Sequence, residues 1–127
     1  MDILVDTQSF IWFFENNSHL PSSVRSFMER NDNLMISIAS FWEITIKTSL
    51  GKLTIPESIV GLMDKALLKG FKILPIERKH LITLSTLELI HRDPFDRIII
   101  AQAIAENMSL VSSDNIFQQY PVNCIWK

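Results

Sequence analysis

The chain has 127 residues, of which 47% are hydrophobic and 20% are charged, a composition that favours a globular protein over a disordered one. We expect one domain over residues 1–127, since this length can bury a core without disulfides. The single cysteine, Cys124, excludes an internal disulfide and favours a reducing compartment. The net charge of −2 excludes a general attraction to nucleic acid, so binding of phosphates requires a local basic patch.

The N-terminal residues MDILVDTQSF lack the pattern of a signal peptide, and no stretch has the length and apolarity of a membrane span. We therefore expect a cytoplasmic protein without membrane contact.

The first half of the chain alternates short apolar runs with segments of helical spacing. A strand, ILVD (3–6), precedes predicted helices in TQSFIWFFENN (7–17) and LPSSVRSFMERND (20–32). A second strand, LMIS (34–37), precedes a helix in IASFWEITIKTSLGK (38–52), which Gly51 ends.

The second half continues the alternation. A helix between Pro56 and Gly70 leads into the strand FKILPI (71–76), where Pro75 favours an edge position or a strand end. The remaining predicted elements are a helix in 77–89, a helix from 94 to about 107, the strand SLVSSD (109–114), short helical turns in 115–121 and the strand VNCIW (122–126). This order predicts a parallel sheet covered on both faces, with its ligand site outside the carboxyl ends of the strands.

Acidic residues recur where that site should lie. Asp6 and Asp114 end two predicted strands, Glu43 lies about two turns into the helix after LMIS, and Asp96 lies in a first helical turn. Each also has an ordinary structural explanation. Asp6 and Asp114 are suitable helix caps, while Glu43 can complete a capping box with Ser40 or pair with Lys47.

The segment HRDPFDRIIIAQA (91–103) poses the same choice for two neighbouring acids. Asp93 is a good N-cap and Pro94 suits the first helical position, so Asp96 can close a capping box. Alternatively, Asp93 caps the helix and Asp96 faces the acids at the strand ends.

Four converging carboxylates would require bound protons or cations, because two unit charges about 4 Å apart repel by about 4 kcal/mol at an effective dielectric of 20. Oxygen ligands favour Mg²⁺ or Mn²⁺, which can activate water and stabilise the leaving oxygen of a phosphodiester. His80 and His91 lack Cys or His partners at ligand spacing, so we expect surface or loop roles for them.

The segments LVDTQSFIWFF, SIASFWEITIKTSLGKL, GFKILPI, HRDPFDRIIIAQA and LVSSDNIFQQY together resemble the PIN-domain nucleases, in particular VapC-like toxins of toxin–antitoxin pairs. The resemblance implies a three-layer α/β/α fold with a central five-stranded parallel sheet. It also implies an Mg²⁺-dependent ribonuclease whose catalytic and metal-binding acids are Asp6, Glu43, Asp96 and Asp114.

The resemblance extends to two supporting positions, and one further position departs from it. Asp93 matches an acid before Pro-Phe-Asp, to which we assign capping. Ser112 stands where related sequences often have Thr, and we expect its hydroxyl to hydrogen-bond the last acid or a metal-bound water. Gln8 stands where related sequences often have His, which is a departure from their pattern.

RNA and protein partners complete the expectations. Candidate RNA contacts are Lys47, Lys52, Arg92 and Arg97, although solvated or ion-paired side chains are the usual alternative. The resemblance implies a small antitoxin and a homodimer or higher assembly. The apolar FIWFF (10–14) offers Trp12 and Phe13 for such contacts, or for the core.

Three further possibilities remain open. One is a catalytically inactive PIN-like module that acts through a protein partner. A phosphoacceptor domain would require an acidic pair at the first strand and a Lys after the last, and a haloacid-dehalogenase-type phosphatase would require an acid where Gln8 stands. The sequence disfavours both of the latter.

Overall fold

The structure is a computed structural model that describes residues 2–126. Its strands are β1 (Ile3–Val5), β2 (Leu34–Ser37), β3 (Lys72–Leu74), β4 (Ser109–Val111) and β5 (Cys124–Ile125). Its helices are α1 (Thr7–Glu15), α2 (Ser22–Arg30), α3 (Ile38–Ser49), α4 (Ile59–Leu68), α5 (Arg78–Thr86), α6 (Pro94–Ala105) and a 3₁₀ helix (Asn115–Gln119).

The five strands form one parallel sheet in the order β3-β2-β1-β4-β5. The predicted parallel sheet is therefore confirmed, and β3 lies at an edge as Pro75 indicated. The strand order reverses at β1, because the chain moves outward through β2 and β3 and then returns to the other side of β1 as β4. The crevice beyond β1 and β4 is the place where such sheets bind ligands.

Side chains of β1 show why helices cover both faces of the sheet. Ile3 and Val5 belong to a core cluster built with α1 to α4, whereas Leu4 belongs to a second cluster with α6 and the 3₁₀ helix. Successive residues of a strand point to opposite faces, so a run that is buried throughout requires cover on both sides. This arrangement confirms the predicted three-layer α/β/α fold.

Several predicted elements are longer than the observed ones. The last strand was expected over 122–126 but consists of Cys124–Ile125, and the strand expected over 109–114 ends at Val111. Gly51 has a φ of 71° directly after α3, as expected for a residue that ends a helix. None of the described helices is long and apolar enough to cross a membrane.

The aromatic segment 10–14 divides between the core and its margin. Phe10 and Phe13 are buried, and Phe10 packs edge-on against Phe41 and Phe71. Trp12 is half-buried and stacks on His19. Phe13 therefore serves the core of this chain, and of the two residues suggested for partner contacts Trp12 is the more accessible.

Candidate metal site

A pocket of about 430 Å³ lies at the carboxyl edge of the sheet, beside the ends of β1 and β4. Its walls combine five carboxylates with two ammonium groups, contributed by Asp6, Glu43, Asp93, Asp96, Asp114, Lys47 and Lys52. All four acids of the predicted quartet therefore lie around one pocket, although the chain separates the first from the last by more than a hundred residues. Gln8 also lines this pocket.

Asp6 is held at the start of α1. Its Oδ1 accepts a hydrogen bond from the Ser9 backbone N–H at 2.8 Å, and its carboxylate is also hydrogen-bonded by the Ser112 side chain. Burial raises the pKa of Asp6, and the nearby charge of Asp114 acts in the same direction. The expected helix cap is present, and it leaves this carboxyl group at the pocket wall.

Asp114 is held in the same way at the start of the 3₁₀ helix. Its Oδ1 accepts from the Ile116 N–H at 2.9 Å, and its own N–H donates to Ser112 Oγ at 3.0 Å. Ser112 is fully buried and thus links the acids that follow β1 and β4. Ser112 thus contacts Asp114 through the Asp114 backbone N–H, whereas it contacts Asp6 through the Asp6 carboxylate.

Glu43 reaches the pocket from the second turn of α3 and is buried. Its Oε2 accepts from Lys47 Nζ at 2.6 Å, which confirms the expected pair, while Oε1 has no hydrogen-bond partner among the described residues. The alternative capping box with Ser40 is wrong. Ser37 caps α3, and Ser40 Oγ accepts from the Thr7 hydroxyl at 2.8 Å instead.

Asp93 and Asp96 have different roles at the start of α6. Asp93 Oδ1 accepts from the N–H groups of Phe95 at 2.8 Å and Asp96 at 3.3 Å, so the predicted cap is confirmed. The capping box is wrong, because the Asp93 N–H donates to His91 Nδ1 at 3.1 Å rather than to Asp96. The Asp96 carboxylate is therefore not used to cap the helix and faces the pocket.

The pKa of the Asp96 carboxyl group is strongly raised in this pocket. Its pKa is raised to about 7, first by burial and then by the charges of Asp93 and Glu43, while His91 opposes the shift. Such a carboxyl group exchanges a proton, or accepts a cation, near neutral pH.

His91 is the site residue that the sequence reasoning missed. Expected in a surface or loop role, it lies in the loop before α6 but is only 8% exposed. Its Nε2 lies 2.9 Å from Asp114 Oδ2 and 3.3 Å from Asp96 Oδ2. Its position two residues before the cap of α6 is the only sequence signal for this contact.

His80 also departs from the expectation, because it is completely buried in α5. Its Nδ1 accepts from the Glu77 N–H at 2.9 Å, and its Nε2 lies 2.6 Å from Glu106 Oε2. These contacts cap α5 and join it to the end of α6. None of these three residues lines the acidic pocket.

The basic candidates divide into two groups. Lys47 and Lys52 line the pocket, so they can face a phosphate bound there. Arg97 donates from Nη1 to the Glu88 carbonyl oxygen at 3.0 Å and to the His91 carbonyl oxygen at 3.4 Å. Its guanidinium thus supports the loop before α6, while Arg92 is exposed and is not among the pocket residues.

The PIN domain family matches residues 3–123, nearly the whole length of this sequence. The chain belongs to the PIN domain family. A search of curated proteins gave no match. The family assignment agrees with the sequence resemblance.

Solved structures share the fold of this PIN domain. A chain of VapBC2 from Rickettsia felis, bound to a DNA fragment from its promoter, has a TM-score of 0.74 at 18% identity, with 100% of both chains covered. A chain of FitAB bound to the IR36 DNA fragment has a TM-score of 0.71 at 18% identity, covering 98% of this chain and 96% of that chain. A toxin–antitoxin complex from Klebsiella pneumoniae gives 0.67 at 16% identity, with coverage of 98% and 96%.

Proposed function

We propose that this PIN domain is a metal-dependent endoribonuclease that hydrolyses RNA phosphodiester bonds, with Asp6, Glu43, Asp96 and Asp114 as its catalytic and metal-binding residues. The observation that carries the proposal is the convergence of these four carboxylates, from four separate segments, around one pocket. Helix capping is sufficient to explain the positions of Asp6 and Asp114. It explains neither the burial of Glu43 nor the raised pKa of Asp96.

The residues fit a divalent cation. Glu43 Oε1 is buried without a hydrogen-bond partner among residues 2–126, and mutual repulsion helps to raise the pKa of Asp96. Hard oxygen donors favour Mg²⁺, with Mn²⁺ as a substitute, and the four acids would hold it. A bound ion would supply Lewis acidity and a water of lowered pKa.

The protein's own groups would prepare the pocket for a phosphodiester. Backbone N–H groups fix Asp6 and Asp114 at the starts of two helices, so both carboxylates are placed before any ligand arrives. Lys47 and Lys52 would contribute positive charge toward the phosphate, which the net charge of −2 does not provide.

We further infer that the chain is the toxin of a toxin–antitoxin pair, acting in the cytoplasm. The support is the likeness of fold to the Klebsiella pneumoniae complex and to VapBC2. On this proposal the partners are an RNA substrate, a small antitoxin protein and further copies of the chain in a homodimer or higher assembly. Size-exclusion chromatography of the chain, alone and with a co-expressed small neighbouring open reading frame, tests the protein partners.

RNA cleavage by the purified chain tests the activity. We expect cleavage with Mg²⁺ or Mn²⁺, none in EDTA, and a loss of about 100-fold or more in Asp96→Asn, because the substitution removes a charged ligand. Asp64→Asn is the matched control, since Asp64 is exposed on α4 and does not line the pocket.

Two results would contradict the proposal. Cleavage that survives Asp96→Asn in carefully purified protein would remove the site assignment. Absence of Mg²⁺ binding at millimolar concentration, in a wild-type chain without cleavage, would favour an inactive PIN-like module that acts through a protein partner.

A further inference from the structure

His91 contacts two of the proposed metal ligands at once, so its role in the pocket needs to be assigned. Nε2 lies 2.9 Å from Asp114 Oδ2 and 3.3 Å from Asp96 Oδ2. An imidazole nitrogen in that position has two possible roles. It can be a third ligand beside the carboxylates, or it can donate a hydrogen bond that holds them in place.

The other ring nitrogen decides between these roles. Nδ1 lies 3.1 Å from the Asp93 backbone nitrogen, whose N–H points at it. A backbone N–H can only donate, so Nδ1 must present its lone pair and cannot carry a proton. In a neutral ring with a bare Nδ1, the proton lies on Nε2, which then has no lone pair for a metal.

The ring is also held rigidly. His91 is 8% exposed, and its ring packs edge-on against Phe117 at 5.4 Å between centroids. Its backbone N–H donates to Tyr120 Oη at 2.9 Å, and Tyr120 Oη donates in turn to the Glu88 carbonyl oxygen at 2.8 Å. Rotation of the ring to expose Nδ1 would break the Asp93 contact and disturb this packing.

We infer that His91 is a positioning residue of the site, which donates a hydrogen bond from Nε2 to Asp114 Oδ2, lies beside Asp96 Oδ2 and is not itself a metal ligand. The inference rests on the proposed function for the identity of the site, but it concerns the arrangement of the carboxylates and not the substrate. The hydrogen bond holds the acid after β4, and the same nitrogen lies 3.3 Å from the acid in the first turn of α6. Since Asp114 Oδ1 accepts from the Ile116 N–H and Oδ2 accepts from His91, both oxygens of this carboxylate are held in place.

The first experiment measures the tautomer of the wild-type protein by long-range ¹H–¹⁵N NMR of the imidazoles, in EDTA and in Mg²⁺. We expect the His91 signals to show a proton on Nε2 and a bare Nδ1 in both conditions. His80 provides an internal standard, because its Nδ1 accepts from the Glu77 N–H in the same way. A proton on Nδ1, or a bare Nε2 in the presence of Mg²⁺, would overturn the inference.

The second experiment compares Mg²⁺ affinity in two variants by calorimetry. His91→Gln keeps an N–H donor near the position of Nε2, whereas His91→Leu removes it. We expect the Leu variant to bind Mg²⁺ about 10- to 100-fold more weakly, and the Gln variant to remain closer to the wild type. Equal losses in both variants would contradict a role as donor.

The outcomes separate this inference from the proposed function. A wild-type chain that binds Mg²⁺ and shows the expected tautomer and variant order, yet cleaves no RNA, would refute the nuclease proposal and leave the role of His91 intact. A chain that cleaves RNA although His91 Nε2 carries no proton would refute the role of His91 and leave the nuclease proposal intact. A wild-type chain that binds no Mg²⁺ would refute both.

Discussion

The Asp96 carboxyl group makes the stability of this chain depend on pH. Its pKa is about 7 in the folded protein, against the ordinary value of 3.8, because burial and neighbouring carboxylates disfavour the charged form. Between about pH 4 and pH 7 the folded state thus retains a proton that the unfolded chain has already released. Stability must decrease as pH rises across this window, since the unfolded state then binds fewer protons.

Asp96→Asn should abolish this part of the pH dependence. At pH 8 in EDTA we expect the variant to be more stable than the wild type by about 2 kcal/mol, a value reduced for the partial exposure of the group. At pH 4 the two proteins should be nearly equal. Urea denaturation of both proteins from pH 4 to pH 8 measures the difference, and parallel curves would contradict the assigned pKa.

At the scale of elements, two contacts of Asp93 hold the start of α6, and only one of them could be predicted from the sequence. The Asp93 carboxylate accepts from the N–H groups of the first turn, while the Asp93 N–H donates to His91 Nδ1. Only the first contact depends on the Asp93 side chain. The structure thus separates the capping of α6 from the positioning of His91.

Substitution of Asp93 tests that separation. Asp93→Ala should cost about 1 kcal/mol in the free energy of unfolding, because the first-turn N–H groups lose their acceptor, whereas Asp93→Ser or Asp93→Asn should cost only a few tenths. All three variants should still cleave RNA under the proposed function, since none changes the quartet. Thermal denaturation with parallel cleavage assays measures both effects. A Ser variant as unstable as the Ala variant would argue against the cap.

The elements could be predicted from the sequence where the local chemistry acts alone. Asp6, Asp93 and Asp114 start helices as expected, and Gly51 ends one, because caps and turns depend on neighbouring residues. The capping boxes considered as alternatives for Ser40 and Asp96 were wrong, because other groups take the positions that those boxes require. Ser37 takes the cap position of α3, and the Ser40 hydroxyl accepts from Thr7. The Asp93 N–H donates to the His91 ring two residues earlier and not to Asp96.

Only the part of the site that lies at the strand ends could be predicted from the sequence, because these ends meet at the carboxyl edge of the sheet. Parallel strands bring Asp6 and Asp114 together by topology, so spacing and alternation suffice to place them. His91 belongs to no strand end or helical turn, and its place depends on the loop held by Tyr120 and Arg97. No periodicity in the sequence reports such a contact, which explains why a surface or loop role was expected.

At the scale of the whole molecule, the pocket exists only when the sheet and both helical layers are assembled. Asp6 follows the central strand, Asp114 follows its neighbour, and Glu43 and Asp96 come from α3 and α6. In the unfolded chain these carboxylates are far apart and bind a cation weakly. A cation in this pocket would therefore bind the folded state selectively and stabilise it by mass action.

We expect Mg²⁺ to raise the melting temperature of the wild-type chain. At a concentration about ten times the dissociation constant, the stabilisation is about 1.4 kcal/mol, equivalent to about 5 °C for a chain of this size. Differential scanning fluorimetry in EDTA, and in Mg²⁺ at matched ionic strength, measures the shift. Asp64→Asn should keep the full shift and Asp96→Asn should lose most of it, because Asp96 lines the pocket and Asp64 does not. A shift of equal size in both variants would place the ion elsewhere on the protein and remove the physical basis for the quartet.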